Sequence, residues 1–381
     1  MTRALTVLAA CAAAFVPFMS AHTQAQTFAL KPASPKITVT TDVEYGRSDT
    51  VALRMDVYRP VGSSATGPTL IFFNHATGAE RRWFFYDRWA RAAASRGLVA
   101  IVFDLPFGSE ASDFQALMAY LTTRGATVGV NKDAMAVYAG SGNVFTALPL
   151  VEDPKLTAVK AAVMYYGEAP ITEFRRDLPL LYVRAGLDRP SVNEAITKLA
   201  SLAVAQNAPV TLVNHASGYH GFEMFNDDDA TREVMEQTIA FVRRATSPAF
   251  QAAIRRGVPE ATAAGYVQVR DFAKAVPIYA DLVAARPDDT RLRLSYGEAL
   301  LGNSQYAAAC GELEKLKGKG LGPRDLGLPA ARACMLKGDS DAAIAWLKTI
   351  PSRFLPPDVR DEAVFAPLKS REDFRALFPA R

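Results

Sequence analysis

The sequence has 381 residues, of which 50% are hydrophobic and 22% are charged, a composition that is ordinary for a soluble globular protein. This length is sufficient for two domains with a sizeable core. The formal net charge of +4 is small for the length, and Lys and Arg form no dense run, so a nucleic-acid partner is not indicated.

The first residues have the pattern of a secretory signal peptide. Arg3 precedes an almost wholly apolar stretch at residues 4–19, and small residues then lead to a cleavage site that we predict after Ala25. The apolar stretch is shorter than the roughly 20 residues of a membrane-spanning helix, and no later stretch is long enough for a stable span. We therefore expect an exported protein, periplasmic or extracellular. Lipoprotein processing at Cys11 is the alternative, but it would leave the apolar residues 12–19 outside the signal.

Residues 26–247 are predicted to form one α/β domain. Two segments that alternate with a two-residue period come first, and short continuous apolar runs follow, which are typical of a parallel sheet covered on both faces. Helix-like stretches lie between them at residues 83–96, 113–123 and 191–206. Strands that alternate with helices indicate a mainly parallel sheet sandwiched by helices, with binding residues beyond the carboxyl ends of the strands. The predicted strands are residues 36–40, 51–58, 69–73, 98–103, 134–138, 161–165, 180–183 and 210–213.

Residues 248–381 are rich in alanine and carry an internal repeat. Ala275, Ala309 and Ala343 lie 34 residues apart in three segments that align, and a larger residue follows each alanine four positions later. A period of 34 with small residues where two helices touch is typical of tetratricopeptide repeats. Residues 259–355 resemble that family, which implies an all-α helical repeat domain with a surface for a protein partner. Unrelated helical hairpins are the alternative.

The fifth predicted strand leads into a turn that carries a candidate nucleophile. Ser141 lies in the sequence Ala-Gly-Ser-Gly-Asn, directly before an apolar helix that starts at Val144. A serine on a tight strand-to-helix turn exposes its hydroxyl, and its neighbours must be small because strand and helix come close together. The usual motif is G-x-S-x-G, from which Ala139 and Asn143 depart. Asparagine tolerates unusual backbone angles, and we expect this tolerance to accommodate Asn143; a turn rich in small residues is the alternative.

A nucleophilic serine requires a base, and the base requires an orienting carboxylate. In proteins with a serine turn of this kind, the serine comes first in the chain, the acid second and the histidine third. Asp188 follows the strand at residues 180–183, and His220 lies in a Gly-flanked loop past the last strand, so these two are the candidate acid and base. His215 is nearer the strand and is expected to be structural. A helix-cap or turn carboxylate is the alternative for Asp188, because Pro190 follows it.

Backbone N–H groups close to the serine would have to bind the oxyanion of an acyl-transfer reaction. Gly142, the residue after the serine, is the first candidate donor. Ala76 is the second, in a loop of small residues after the first core strand, with Thr77 as its alternative. His75 in the same loop is expected to be a packed, hydrogen-bonded histidine.

Together these residues resemble the α/β-hydrolase superfamily, most closely its dienelactone-hydrolase-like branch, over residues 47–245. The matching segments are residues 56–60, 74–78, 139–143, 186–188 and 220–222. The resemblance implies a Ser141–Asp188–His220 triad, with Gly142 and Ala76 at the oxyanion site. It also implies hydrolysis of an ester, lactone or related acyl bond in a small-molecule substrate, without a metal or organic cofactor. Dienelactone hydrolases use cysteine where Ser141 stands, so their substrate is not carried over.

The sequence leaves several alternatives open. An exported scaffold or binding protein with a vestigial hydrolase domain is the competing function, because the motif around Ser141 is incomplete. A thioesterase or peptidase could use the same three residues.

The loop at residues 104–108 is either a wall of an acyl pocket or a simple turn. Cys310 and Cys334 are expected on neighbouring helices, where we favour buried free thiols over a disulfide.

Overall fold

The computed structural model describes residues 28–33, 36–48, 51–62, 66–74, 80–106 and 108–378. The predicted signal peptide at residues 1–25 and the loop at residues 75–79, which contains Ala76, lie outside these ranges. Within the described ranges, no helix combines the length and the apolar character that crossing a membrane requires.

Eight strands form one sheet, and each overlaps one of the eight predicted strands. They are β1 (Ile37–Ser48), β2 (Val51–Pro60), β3 (Gly67–Phe72), β4 (Val99–Phe103), β5 (Val130–Gly140), β6 (Val159–Tyr165), β7 (Leu180–Ala185) and β8 (Val210–His215). Their spatial order is β1-β2-β4-β3-β5-β6-β7-β8. β2 pairs with β1 and β4 in antiparallel register, and all other neighbours are parallel. The mainly parallel sheet predicted from the sequence is therefore confirmed.

Helices cover both faces of the sheet. The six that follow or separate the strands are α1 (Phe84–Ala94), α2 (Glu110–Arg124), α3 (Asn143–Glu152), α4 (Pro190–Ala205), α5 (Phe222–Phe225) and α6 (Asp229–Ala245). Alternate residues of the central strands enter two different cores, because successive side chains of a strand point to opposite faces. Ile71 packs in a core with residues of α2, α3 and α4, whereas Phe72 packs in a core with residues of α1 and α6.

The rest of the chain is helical and has its own hydrophobic clusters. Its α-helices are α7 (Pro248–Gln268), α8 (Phe272–Ala285), α9 (Thr290–Gly302), α10 (Tyr306–Glu314), α11 (Pro323–Leu336), α12 (Ser340–Lys348) and α13 (Glu372–Arg375). From α7 to α12, each helix packs against the next one in the chain. Ala275, Ala309 and Ala343 lie on α8, α10 and α12, the second helix of each pair, and all three are fully buried. All three alanines of the 34-residue spacing thus lie in the core of the helical part.

Cys310 of α10 and Cys334 of α11 form a disulfide, with their Cα atoms 4.9 Å apart. The expectation that these residues lie on neighbouring helices is confirmed, but our preference for free thiols was wrong. Buried alanines beside the cysteines, including Ala309 and Ala333, allow the two helix backbones to approach closely. This approach brings the Cα atoms within the range that a disulfide spans.

The first helix after the sheet, α7, contacts the amino ends of the strands. Gln251 Nε2 donates to the carbonyl oxygen of Lys160, the second residue of β6, over 3.0 Å. Asn207, in the turn that precedes β8, donates through Nδ2 to the Ala261 carbonyl oxygen over 3.0 Å. The helical part therefore packs against the amino ends of these parallel strands, on the side of the sheet opposite to their carboxyl ends.

Candidate active site

Ser141 occupies the turn between β5, which ends at Gly140, and α3. Its backbone has a φ of 57°, in the left-handed region that costs free energy for a residue other than glycine. The Ser141 N–H donates to the Tyr165 carbonyl oxygen over 2.9 Å, and the Ser141 carbonyl oxygen accepts from the Val144 N–H over 3.0 Å. These two bonds hold the strained turn at the carboxyl edge of the sheet, where the sequence predicted it.

The two departures from the usual motif have different explanations from the one we expected. Asn143 is the first residue of α3 and has no positive φ, so the unusual backbone angle belongs to Ser141 and not to Asn143. The Asn143 side chain donates through Nδ2 to Tyr86 Oη over 3.1 Å. Ala139 is fully buried within β5. Both residues therefore fit the turn without adopting a glycine-like backbone.

The residue beneath the serine turn must be a glycine, because the turn lies very close to it. A Cβ atom on Gly167 would overlap the Ser141 carbonyl oxygen and lie 2.6 Å from the Val144 side chain. Gly167 follows β6, the neighbour of β5 in the sheet. Because Gly167 has no side chain, the serine turn can contact the loop after β6 directly.

Ser141, His220 and Asp188 form a hydrogen-bonded chain. Ser141 Oγ lies 2.7 Å from His220 Nε2, and His220 Nδ1 lies 2.6 Å from Asp188 Oδ2. The Asp188 side chain is buried, with 1% exposed, whereas 35% of the His220 side chain is exposed. An imidazole that donates from Nδ1 to a carboxylate has Nε2 free to accept the serine proton. The structure thus brings the three candidate residues together in the order that a base-activated serine needs.

Asp188 also has the turn role that we weighed as its alternative. It follows β7, and its Oδ1 accepts from the Arg189 backbone N–H over 2.7 Å at the start of α4. One oxygen therefore fixes the carboxylate to the turn while the other contacts the imidazole. The two roles are compatible because a carboxylate can accept through both oxygens.

His215 is separate from this chain. It is buried, and its Nε2 lies 2.7 Å from Thr231 Oγ1 on α6. Burial lowers the pKa of His215, which favours the neutral imidazole. The expectation that His215 is structural agrees with these contacts.

Gly142, the first candidate oxyanion donor, lies at the amino end of α3. It is the N-cap residue of α3 and is exposed. The first N–H groups of a helix have no acceptor within the helix and carry the positive end of its dipole. Ala76, the second candidate donor, lies outside the described residues and stays a prediction.

An ion-pair cluster anchors the chain after the loop at residues 75–79. Arg81 is buried and donates to Asp42 and Asp104, each over 2.9 Å, and to Asp56. Asp104 begins the loop that we considered as a wall of an acyl pocket. Its carboxylate is instead engaged in fixing Arg81, so this part of the loop has a structural role.

A buried group of three residues, one of which packs against His220, was not predicted from the sequence. Glu223 is fully buried, and its two carboxylate oxygens accept from Tyr138 Oη and Tyr166 Oη, each over 2.8 Å. The Tyr166 ring lies 4.7 Å from the His220 ring, measured between centroids. A sequence signal for this arrangement does exist, since Glu223 is the only charged residue in the apolar run at residues 221–225 that follows His220.

No protein-family model matches this chain, and no curated protein matches its sequence. The solved structures that match include an esterase from Rhizomucor miehei, with 16% identity and a TM-score of 0.47 over 56% of this chain and 85% of that chain. An esterase from Pyrobaculum calidifontis has 15% identity and a TM-score of 0.46, over 55% of this chain and 85% of that chain. An alpha/beta hydrolase enzyme from a deep-sea metagenome library has 14% identity and a TM-score of 0.47, over 55% of this chain and 98% of that chain. By its own strand order and serine turn, the chain up to α6 has an α/β-hydrolase fold. The helices after residue 247 come after this part in the chain.

Proposed function

We propose that the chain is an exported serine hydrolase that cleaves an ester, lactone or related acyl bond of a small-molecule substrate. The observation that carries this proposal is the hydrogen-bonded chain from Ser141 through His220 to Asp188 on a strained strand-to-helix turn. The dienelactone-hydrolase-like branch remains our preferred assignment within the superfamily, with Ser141 in place of the branch's cysteine.

In the proposed first step, Ser141 Oγ attacks the substrate carbonyl carbon and its proton passes to His220 Nε2. The carbonyl oxygen becomes an oxyanion, which the Gly142 and Ala76 N–H groups bind. Asp188 keeps the imidazole in the required tautomer and stabilises the imidazolium that forms. Its burial supports this role, because a carboxylate shielded from water interacts more strongly with the adjacent charge.

The later steps use the same groups, and they begin as the oxyanion collapses and the bond between the acyl carbon and the leaving alkoxide breaks. The imidazolium gives its proton to the leaving alkoxide, and the acyl group stays on Ser141 as an ester. Water then attacks this ester while His220 takes the water proton, and the acid product leaves as Ser141 regains its hydrogen. The partial exposure of His220 supports this step, because water must reach the imidazole.

Export is proposed from the predicted signal peptide at residues 1–25 and from the Cys310–Cys334 disulfide. Disulfides persist mainly in oxidising compartments such as the periplasm and the extracellular space. A periplasmic or extracellular location agrees with both features.

We propose that residues 248–381 are a separate tetratricopeptide-like domain that binds a protein partner. The separate hydrophobic clusters and the serial packing of α7 to α12 support this assignment. Because α7 contacts the amino ends of the strands, a partner bound to the repeats need not cover Ser141.

The test is the intact mass of the mature protein after reaction with a fluorophosphonate probe. The wild type should gain one adduct, and Ser141→Ala should gain none while keeping the wild-type circular dichroism spectrum. Ser217→Ala is the matched control, since Ser217 lies in the loop that leads to His220 but has no proposed catalytic role. Asp188→Asn should slow labelling by about a thousandfold or more, because the imidazole would lose its orienting charge.

The outcomes separate the competing functions. A folded wild-type protein without an adduct would contradict the hydrolase proposal and favour the scaffold alternative. An adduct that survives in Ser141→Ala would assign the reactive serine elsewhere. After a positive result, a panel of p-nitrophenyl esters, thioesters and peptides would distinguish an esterase from a thioesterase or a peptidase.

A further inference from the structure

We infer that Glu223 and Tyr166 are positioning residues that fix the tilt of the His220 imidazole through a buried hydroxyl–carboxyl hydrogen bond. This inference rests on the proposed function, since it assigns a role within the same site. It concerns residues that do not contact Ser141 Oγ and that act through His220.

The His220 ring is restrained by a hydrogen bond at each nitrogen and by the side chains that pack against it. Ser141 and Asp188 contact Nε2 and Nδ1, which lie on opposite sides of the imidazole. Because 35% of the His220 side chain is exposed, packing on its buried side limits movements of the ring that would lengthen these two bonds.

Tyr166 provides this packing contact. Its ring lies 4.7 Å from the His220 ring at an interplanar angle of 55°, and it also meets Phe222 edge-on at 5.5 Å. The Tyr166 backbone has a φ of 33°, and its N–H donates to the Val183 carbonyl oxygen over 2.8 Å. The backbone end of the side chain is thus fixed in an unusual conformation that directs the ring toward the imidazole.

Glu223 fixes the other end of the same side chain. Tyr166 Oη donates to Glu223 Oε2 over 2.8 Å in a fully buried environment. Burial raises the pKa of the Glu223 carboxyl and also that of the Tyr166 hydroxyl, so the tyrosine remains a donor at neutral pH. A buried donor without its acceptor is costly, so the ring cannot rotate away without a penalty.

Glu223 is also tied to the loop that carries the base. It lies three residues after His220, on the short helix α5, and its backbone carbonyl oxygen accepts from the Ala29 N–H over 3.0 Å. Displacement of the His220 loop would therefore strain the bond to Tyr166. The His220 imidazole, the Tyr166 ring and the Glu223 carboxyl are therefore linked by direct contacts and by the chain.

Tyr138 offers a matched control for this role. It donates to the other Glu223 oxygen over the same 2.8 Å and is equally buried. Its ring, however, packs on Phe72, Trp89 and Tyr165, at centroid distances of 5.3, 5.5 and 5.1 Å. Removal of either hydroxyl leaves one Glu223 oxygen without its tyrosine donor, but only Tyr166 presents its ring to His220 within the described contacts.

The experiment compares Tyr166→Phe with Tyr138→Phe in the full mature protein, using the rate of fluorophosphonate labelling of Ser141. The probe concentration is varied so that the maximal labelling rate and the half-saturating concentration are obtained separately. We expect Tyr166→Phe to lower the maximal rate about tenfold with a half-saturating concentration within about twofold of wild type. Tyr138→Phe should keep the maximal rate within about threefold, and both variants should lose similar thermal stability.

Equal losses of maximal rate in the two variants, or an unchanged rate in Tyr166→Phe, would overturn the inference and leave the tyrosines as core residues. If Tyr166→Phe does not fold, Glu223→Gln serves instead, because its amide nitrogen is a donor and replaces one of the two oxygens that accept from the tyrosines. Its maximal rate should also fall, and a wild-type rate would overturn the inference. Absence of labelling in the wild type is a separate result, because it contradicts the proposed function itself.

Discussion

Glu152 is a buried carboxyl group at the end of α3, the helix that begins at the serine turn. Its Oε2 accepts from the Arg175 backbone N–H over 2.6 Å, while its Oε1 has no hydrogen-bond partner among the described residues. Burial raises the pKa of Glu152 to about 7, against an ordinary value of 4.5. Ionisation of this carboxyl in the folded protein is therefore unfavourable below neutral pH.

This shift predicts a pH dependence of stability. The folded pKa is raised, so the contribution of Glu152 is fully present below pH 4.5 and is lost as the pH rises through about 7. The difference in unfolding free energy between wild type and Glu152→Gln should fall by about 2 kcal/mol from pH 5 to pH 8. Urea unfolding at the two pH values measures it. A pH trend that is the same in both proteins would assign the dependence to other groups.

At the scale of single elements, α7 determines how the helical part sits on the sheet. A Cβ atom on Gly265 would overlap the Gln206 carbonyl oxygen, in the segment that precedes β8. Glycine costs about 1 kcal/mol relative to alanine inside a helix, so its presence here is explained by close approach and not by helix propensity. Gly265 is thus a docking residue for α7.

Gly265→Ala should weaken this docking by about 1–3 kcal/mol, because the added methyl group forces the two surfaces apart. Faster amide hydrogen exchange at Asn207 and along α7 would report the change. The labelling rate of Ser141 should stay at the wild-type value, since the serine lies at the opposite edge of the sheet. Gly257→Ala in the same helix is the matched control, as a Cβ there meets nothing within 4 Å. Equal exchange in both variants would contradict the docking role.

At the scale of the whole molecule, the sheet and the helical repeats have separate hydrophobic clusters. Chains with separate cores often unfold in more than one step. The disulfide lies entirely within the helical part and joins residues 24 positions apart. It should therefore stabilise the repeats without affecting the sheet.

Replacement of Cys310 and Cys334 by alanine should lower the stability of the helical transition by about 3 kcal/mol, because a cross-link restricts the unfolded chain. Calorimetry resolves this transition from that of the sheet, which should keep its midpoint. Treatment of the wild type with a reductant should reproduce the loss, and the double variant should not respond. A decrease spread over both transitions would mean that the two parts unfold together.

The sequence by itself determined the elements and the chain order of the candidate site. The eight strands and the 34-residue spacing of Ala275, Ala309 and Ala343 follow from periodicity, which reflects burial relative to near neighbours in the chain. The serine turn was also predictable, because small residues between an apolar strand and an apolar helix define it locally. Asp188 and His220 were found because both follow strands whose carboxyl ends share one edge.

Only the tertiary structure decided which distant residues meet. The bond from Tyr166 to Glu223, the three carboxylates around Arg81 and the Cys310–Cys334 disulfide depend on strand order and helix packing, and periodicity does not encode these. Our error about Asn143 belongs here too, since the positive φ lies at Ser141, whose turn contacts Gly167 and Tyr165 on the neighbouring strand and its loop. Local pattern specifies what each segment is, whereas the packing of segments far apart in the chain specifies what each side chain touches.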